Sequence, residues 1–192
     1  PEVLRSSCTR RASSRAMPSA SSSDDEVVSA YTVPVENAII LTLGTGLGTG
    51  ILCNGELLRS GRGLHPEAGH LILREGDQTA PCGCGNLGCA EAFLSGRSFT
   101  RRARPRFSNP NLMAVDIEQL ARKRDPRAVA AFKEYAWLMA IAIHNYVVIY
   151  CPELVVFTGS FAQSADLFID DTREHLAKLL ERRRVGIDLL PQ

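Results

Sequence analysis

Neither sign of charge dominates this sequence: 22 Lys and Arg stand against 21 Asp and Glu, a net charge of +1. A broad electrostatic footprint for nucleic acid or an anionic membrane is therefore missing. Long apolar runs are missing too. The longest, Tyr135 to Tyr150, is interrupted by His144 and Asn145 and falls short of the roughly 20 residues that cross a bilayer. The N-terminus carries basic residues with no continuous apolar region behind them, so the pattern of a secretory signal does not form. No nucleic-acid partner, no membrane and a cytoplasmic location are the expectations. What is present is ordinary globular material, 45% hydrophobic and 22% charged over 192 residues, enough for one complete core.

Residues 1–33 differ from the rest. They are Ser-rich and dotted with Arg5, Arg10, Arg11 and Arg15, and run through Ser19-Ala20-Ser21-Ser22-Ser23-Asp24-Asp25-Glu26 without an apolar period. We expect a disordered or non-native segment here, with an organellar transit peptide as the functional alternative. From Ala38 the pattern sharpens. Ala38-Ile39-Ile40-Leu41-Thr42-Leu43 reads as a strand, glycines follow at 44, 46, 48 and 50, and Asn54-Gly55 offers the positive φ angles of a tight hairpin turn. Leu71-Ile72-Leu73 is expected as a further short strand and Cys89 to about Arg104 as a helix. Asp116 is expected to cap a helix through Arg124. Asp125-Pro126 opens the longest helix, Arg127 to about Tyr150, with proline in the first turn where its missing N–H costs least. Leu154-Val155-Val156-Phe157 reads as a strand covered on both faces. Thr158-Gly159-Ser160 then leads to an amphipathic helix from about Ser164 to Arg183. The sum is an α/β layout with glycine turns at strand ends.

Three groups of residues carry chemistry. In Leu43-Gly44-Thr45-Gly46-Leu47-Gly48-Thr49-Gly50, alternating glycines let backbone N–H groups approach a phosphate, and threonine hydroxyls can donate. A glycine-rich strand corner accounts for the same pattern. The Lys of a Walker loop is absent, and a strand follows where a P-loop or dinucleotide fingerprint needs a helix. The second group, His70, Cys82, Cys84 and Cys89, is spaced H-x11-C-x-C-x4-C with Gly83, Gly85 and Gly88 interleaved. Three sulfurs and one imidazole suit a tetrahedral Zn²⁺ in a closed, structural shell. Unliganded thiols or a disulfide are the alternatives, and a reducing compartment disfavours the disulfide. In the third group, Glu67 lies three residues before His70, and Glu91 lies two past the last Cys of the loop. Carboxylates that accept from neighbouring hydroxyls can orient a sugar. As isolated residues, Glu67 equally fits a solvated loop and Glu91 a first-turn helix acid.

Together these residues resemble the ROK family of repressors, open reading frames and sugar kinases. Val35 to Leu190 is covered by the resemblance. Leu43-Gly44-Thr45-Gly46 resembles the family's second phosphate loop, and Pro66-Glu67-Ala68-Gly69-His70 its E-x-G-H sugar motif. Cys82-Gly83-Cys84-Gly85-Asn86-Leu87-Gly88-Cys89-Ala90-Glu91 resembles its C-x-C-G-x-x-G-C-x-E zinc loop, and Val155-Val156-Phe157-Thr158-Gly159-Ser160 its adenosine-side strand and turn. The resemblance implies an actin-like, ribonuclease H-like ATPase lobe over residues 34–192, with an inserted zinc loop at 70–89. It implies ATP with Mg²⁺ as co-substrate, a hexose partner and a homodimer. Glu67, His70 and Glu91 would read sugar hydroxyls. Gly44, Thr45, Gly46, Gly159 and Ser160 would hold the nucleotide, and His70, Cys82, Cys84 and Cys89 a structural zinc.

Parts of the family pattern are not found. Residues 1–37 hold neither the D-x-G-x-T first phosphate loop nor the N-D motif whose aspartate takes the sugar proton. No catalytic residue is assigned, and the general base is expected in an N-terminal lobe that this chain lacks. The lobe is also expected to stop short of its last strand and helix. Little phosphoryl transfer is expected from the chain alone. The alternative is the sugar-sensing domain of a family transcriptional repressor, whose helix-turn-helix is likewise not seen in residues 1–37. Glucose, fructose, mannose and N-acetyl hexosamines share the hydroxyl pairs these acids would read.

Overall fold

The computed structural model describes residues 3–5 and 35–188, with side chains from 35 through 181. Five strands, β1 (Val3–Arg5), β2 (Ala38–Leu43), β3 (Leu47–Cys53), β4 (Glu56–Leu57) and β5 (Leu154–Thr158), form one sheet in the order β1-β5-β2-β3-β4. β2, β3 and β4 make an antiparallel meander, and β5 joins β2 in parallel, Ala38 facing Leu154 and Thr42 facing Thr158. A parallel neighbour needs a crossover. Here everything from the sugar-motif turn to the longest helix is threaded between the two strands.

Five helices follow: α1 (Glu91–Leu94), α2 (Gly96–Ala103), α3 (Ala114–Arg122), α4 (Pro126–Tyr150) and α5 (Ile169–Asp188). Strand alternation sends Ile39, Leu41 and Leu43 of β2 and Val155 and Phe157 of β5 into one large core with α4. Ala38, Leu52, Leu154 and Val156 form a second small cluster on the opposite face. β5 is thus buried on both faces, as its unbroken apolar run required. α4 begins where Asp125 accepts the Arg127 N–H at 2.9 Å. It ends at Cys151, held at φ +46 before Pro152. Asn54 and Gly55, at φ +53 and +78, make the expected hairpin turn.

Several expectations need correction. Leu71–Leu73 does not enter the sheet. Ile72 pairs with Cys89 in an isolated bridge, and the Leu73 and Arg74 N–H groups both donate to the Gly88 carbonyl. The apolar run is spent closing the cysteine loop. The helix expected from Cys89 breaks at Ser95, whose hydroxyl accepts the Ser98 N–H at 3.2 Å and so caps α2. Asp116 is not a cap; it lies inside α3 and reaches back to the Met113 N–H at 2.8 Å. The C-terminal helix starts later, after a 3₁₀ stretch at Ser160–Leu167. Val3–Arg5, expected to lack structure, form an edge strand antiparallel to β5. The remainder of the Ser-rich segment, and residues 189–192, lie outside the described residues. Among the described residues no helix is long and apolar enough to cross a membrane.

Candidate functional site

The sugar-motif turn is a single 3₁₀ turn, Ala68–His70, locked from two sides. From β3, the Thr49 hydroxyl donates to the Pro66 carbonyl at 2.9 Å and accepts the Ala68 N–H at 3.2 Å. From α4, the buried Tyr146 hydroxyl donates to the Ala68 carbonyl at 3.0 Å. Burial also pushes the Tyr146 phenol well up, so it remains a donor. Gly69 packs so closely on the Leu47 carbonyl that a side chain would overlap it. Sequence reading took Thr49 for a phosphate-loop hydroxyl, whereas it holds this turn, and missed Tyr146. Nothing local flags Tyr146, which lies 78 residues from the carbonyl it holds.

His70, Cys82, Cys84 and Cys89 come together, one donor atom from each lying within 4.8 Å of all the others. Cys82 Sγ is 3.4 Å from His70 Nδ1, and Cys84 Sγ is 3.6 Å from Cys89 Sγ. A tetrahedral ion with bonds of roughly 2.0–2.3 Å needs its donors about 3.3–3.8 Å apart; these two separations match, and the 4.8 Å bound brings the remaining donors near that spacing. The loop is closed by Cys82 N–H to Asn86 O at 3.0 Å and Gly88 N–H to Ala80 O at 2.8 Å. Gly85 and Gly88 turn it at φ +93 and +79. Gly83 does not: its backbone is outside the left-handed region, and nothing lies near a would-be side chain. Burial pushes the Cys82 and Cys89 thiols up, Cys89 to about 12, whereas a hydrogen bond from the Asn86 backbone lowers Cys84. Two of these sulfurs are thus held as thiols unless a cation draws off their protons.

Glu91 opens α1 beside this cluster. Its Oε1 lies 3.7 Å from Cys82 Sγ, and its Oε2 accepts the Leu47 N–H at 3.0 Å. Glu67 points elsewhere: its exposed carboxylate pairs with His65 Nε2 at 3.3 Å. The structure therefore gathers His70 and Glu91 around one sulfur and places Glu67 on the rim of the same turn. His65, two residues before it, supplies the nitrogen that Glu67 meets.

Gly44, Thr45 and Gly46 form the β2–β3 turn. The Gly44 carbonyl accepts the Gly96 N–H at 2.8 Å, and the Gly44 N–H goes to Gly46 O at 3.1 Å. Thr45 and Gly46 N–H groups have no protein acceptor among the described residues. Gly159, at φ +87, and Ser160 leave β5 directly beside this turn, since a Cβ on Gly159 would lie 2.5 Å from the Leu43 carbonyl. The two turns sit together at the carboxyl ends of parallel neighbours, the usual place for a ligand in an α/β sheet. One strand position earlier, the Thr42 and Thr158 hydroxyls meet at 3.0 Å. That pair also went unseen in the sequence.

The sequence profile of the ROK family matches residues 25–189. An N-acetyl-D-glucosamine kinase of Citrobacter koseri is 35% identical over 162 residues, covering 76% of this chain and 53% of that protein. A ROK family glucokinase from Streptomyces griseus, solved in complex with glucose and AMPPNP, superposes with a TM-score of 0.68 at 28% identity, over 77% of this chain and 52% of that one. A ROK family transcriptional regulator, a homologue of the E. coli MLC protein, shares the fold at 24% identity and a TM-score of 0.64, over 75% of this chain and 38% of that one. The chain spans about half the length of the curated relatives it matches.

Proposed function

We propose that this chain, which belongs to the ROK family, serves the ATP-dependent phosphorylation of a hexose, supplying the sugar-reading residues and part of the nucleotide site. The observation that carries the reading is the junction at Glu91. One carboxylate stands against the cysteine cluster with Oε1 and against the phosphate-loop turn with Oε2. Hexose and phosphate would then meet on either side of one residue, as phosphoryl transfer requires. His70 turns Nδ1 to Cys82, which leaves Nε2 for a sugar hydroxyl, with Glu91 and Glu67 as acceptors beside it. The Thr45 and Gly46 amides, without an acceptor among the described residues, and Gly159 and Ser160 opposite offer the donors and the steric room a nucleotide phosphate needs.

The donor set of three sulfurs and one imidazole fits Zn²⁺ in a closed shell, and the ion's contribution is to fix the loop that carries His70. Mg²⁺ would accompany ATP and neutralise phosphate charge. In the transfer, a sugar hydroxyl oxygen bonds the γ-phosphorus as the bond to the bridging oxygen of ADP breaks, and the hydroxyl proton passes to a base. No residue of this chain is assigned that role. The sugar-sensing alternative has fold-level support from the regulator; the kinase reading has the higher-identity relatives, whose activities include both glucokinase and N-acetylglucosamine kinase.

Calorimetry on the zinc-loaded chain with glucose, N-acetylglucosamine and Mg·AMPPNP tests the reading. One hexose and one nucleotide should bind per chain. Glu67→Gln should weaken the hexose about tenfold, as loss of one charged hydrogen bond does, and leave AMPPNP unchanged. Absence of hexose binding would overturn the proposal. Hexose binding with no nucleotide binding would favour the sensing domain.

A further inference from the structure

The geometry points to Glu91 as the coupling between the two halves of the site: a hexose bound at its carboxylate strengthens nucleotide binding at the Gly44–Gly46 turn, and the nucleotide strengthens hexose binding in return. The inference rests on the sugar-kinase reading and adds a regulation of that site.

Gly46 supplies the first observation. Its φ lies outside the left-handed region, so its backbone does not need glycine. A Cβ there would lie 2.7 Å from Glu91 Oε2. The glycine read from sequence as clearance for a phosphate is thus also clearance for a carboxylate. The second is that the turn is tied at both ends to one short segment. Leu47 N–H donates to the Glu91 side chain, and the Gly44 carbonyl accepts from Gly96 N–H. Between these anchors lie Thr45 and Gly46, whose amides have no acceptor among the described residues. The third is that the residue before Glu91 is fixed to the segment that follows the sugar-motif turn, Ala90 N–H reaching Leu71 O at 2.8 Å. The freedom left at the junction is therefore that of the Glu91 side chain.

Hydroxyls donating to this carboxylate would restrict its rotamers. The bond to Leu47 is then kept at lower entropic cost, and the turn is ordered before the nucleotide arrives. Linkage makes the effect reciprocal, and couplings of this kind typically run from about 5- to 150-fold. Glu91 acts here on the phosphate side as a positioning residue, with no contact to the transferred group required.

The test is calorimetry on the zinc-loaded chain, with AMPPNP titrated in the absence and presence of saturating glucose, and glucose titrated with and without AMPPNP. Each ligand should tighten the other by the same factor, about fivefold or more. In Gly46→Ala the new methyl displaces Oε2, the oxygen that holds the Leu47 N–H; because it ends a flexible side chain the fold stays intact, and the factor should fall below about twofold. Glu91→Ala should abolish it as well, and combining the two changes should add nothing further. Both ligands binding without mutual effect would overturn the coupling and leave the kinase reading in place. A coupling preserved in both variants would overturn Glu91 as its carrier. A wild-type chain that binds neither ligand overturns the kinase reading and this inference with it. If the variants bind too weakly to titrate, hydrogen exchange at the wild-type Leu47 amide decides: glucose alone should slow it about fivefold, and an unchanged rate overturns the proposal.

Discussion

Gly88 sits at φ +79 with the Arg74 carbonyl where a side chain would begin. Gly83, six residues from Cys89 in the same loop, has open space around it. The spacing of glycines among cysteines reads alike for Gly83, Gly85 and Gly88; only the folded loop separates the one that must be glycine from the one that need not be. Gly88→Ala should cost about 2 kcal/mol or more, through left-handed strain plus displacement of the Arg74 backbone. It should also reduce the metal retained per chain. Gly83→Ala should stay within about 0.5 kcal/mol of wild type. Thermal unfolding and elemental analysis of both variants check the contrast. Within the cluster itself, the three cysteines and His70 were legible because their spacing is a local pattern. Glu67's pairing with His65 was not, because side-chain direction at an exposed turn leaves no trace in spacing.

α4 shows what an element adds. Its span was readable from Asp125-Pro126 at one end and Cys151-Pro152 at the other, and its two buried tyrosines look like ordinary core. Both hydroxyls have specific partners. Tyr135 donates to the Leu94 carbonyl at 2.9 Å, at the end of the helix that Glu91 opens, and Tyr146 donates to Ala68 in the sugar-motif turn. One rigid helix thereby spaces both walls of the site. Tyr146→Phe removes a single oxygen and leaves the half-buried Ala68 carbonyl with only the Leu71 N–H, at 3.2 Å, costing about 1 kcal/mol. Hexose affinity should fall several-fold with AMPPNP affinity unchanged, a split that general destabilisation would not produce; equal loss of both would sink the idea. At the N-terminus of α4, Arg127 beside Asp125 holds the Asp125 carboxyl at about 2 against an ordinary 3.8. A depressed carboxylate contributes stability above its unfolded value and loses it as pH falls through the folded one. Wild type should therefore exceed Asp125→Asn in stability above about pH 4, and the two should converge toward pH 2. Chemical denaturation across that range measures it. The helix starts at Ser95 and Met113 were misplaced in the sequence reading because Ser95 and Asp116 satisfy N–H groups that only the final backbone path exposes.

For the whole molecule, the sheet and α4 form one continuous core, whereas the cysteine loop lies on its edge, with Cys84 exposed and Cys89 buried. With zinc in the cluster, as proposed, its removal should then loosen part of the molecule and spare the rest. After chelation, hydrogen exchange should quicken across residues 70–90 while amides of β2, β5 and α4 keep their protection; uniform loss would show that the metal supports the entire fold. The sequence alone determined the meander with its Asn54-Gly55 turn, the long helix, the twice-buried strand and the grouping of His70 with Cys82, Cys84 and Cys89. Each of these is written in periodicity, turn chemistry or spacing over short stretches of chain. Tertiary structure alone decided that Glu91 reaches Leu47 across 44 residues and that Tyr146 reaches Ala68 across 78. Such contacts depend on how the sheet and helices pack, and that packing is set by the balance of the whole core.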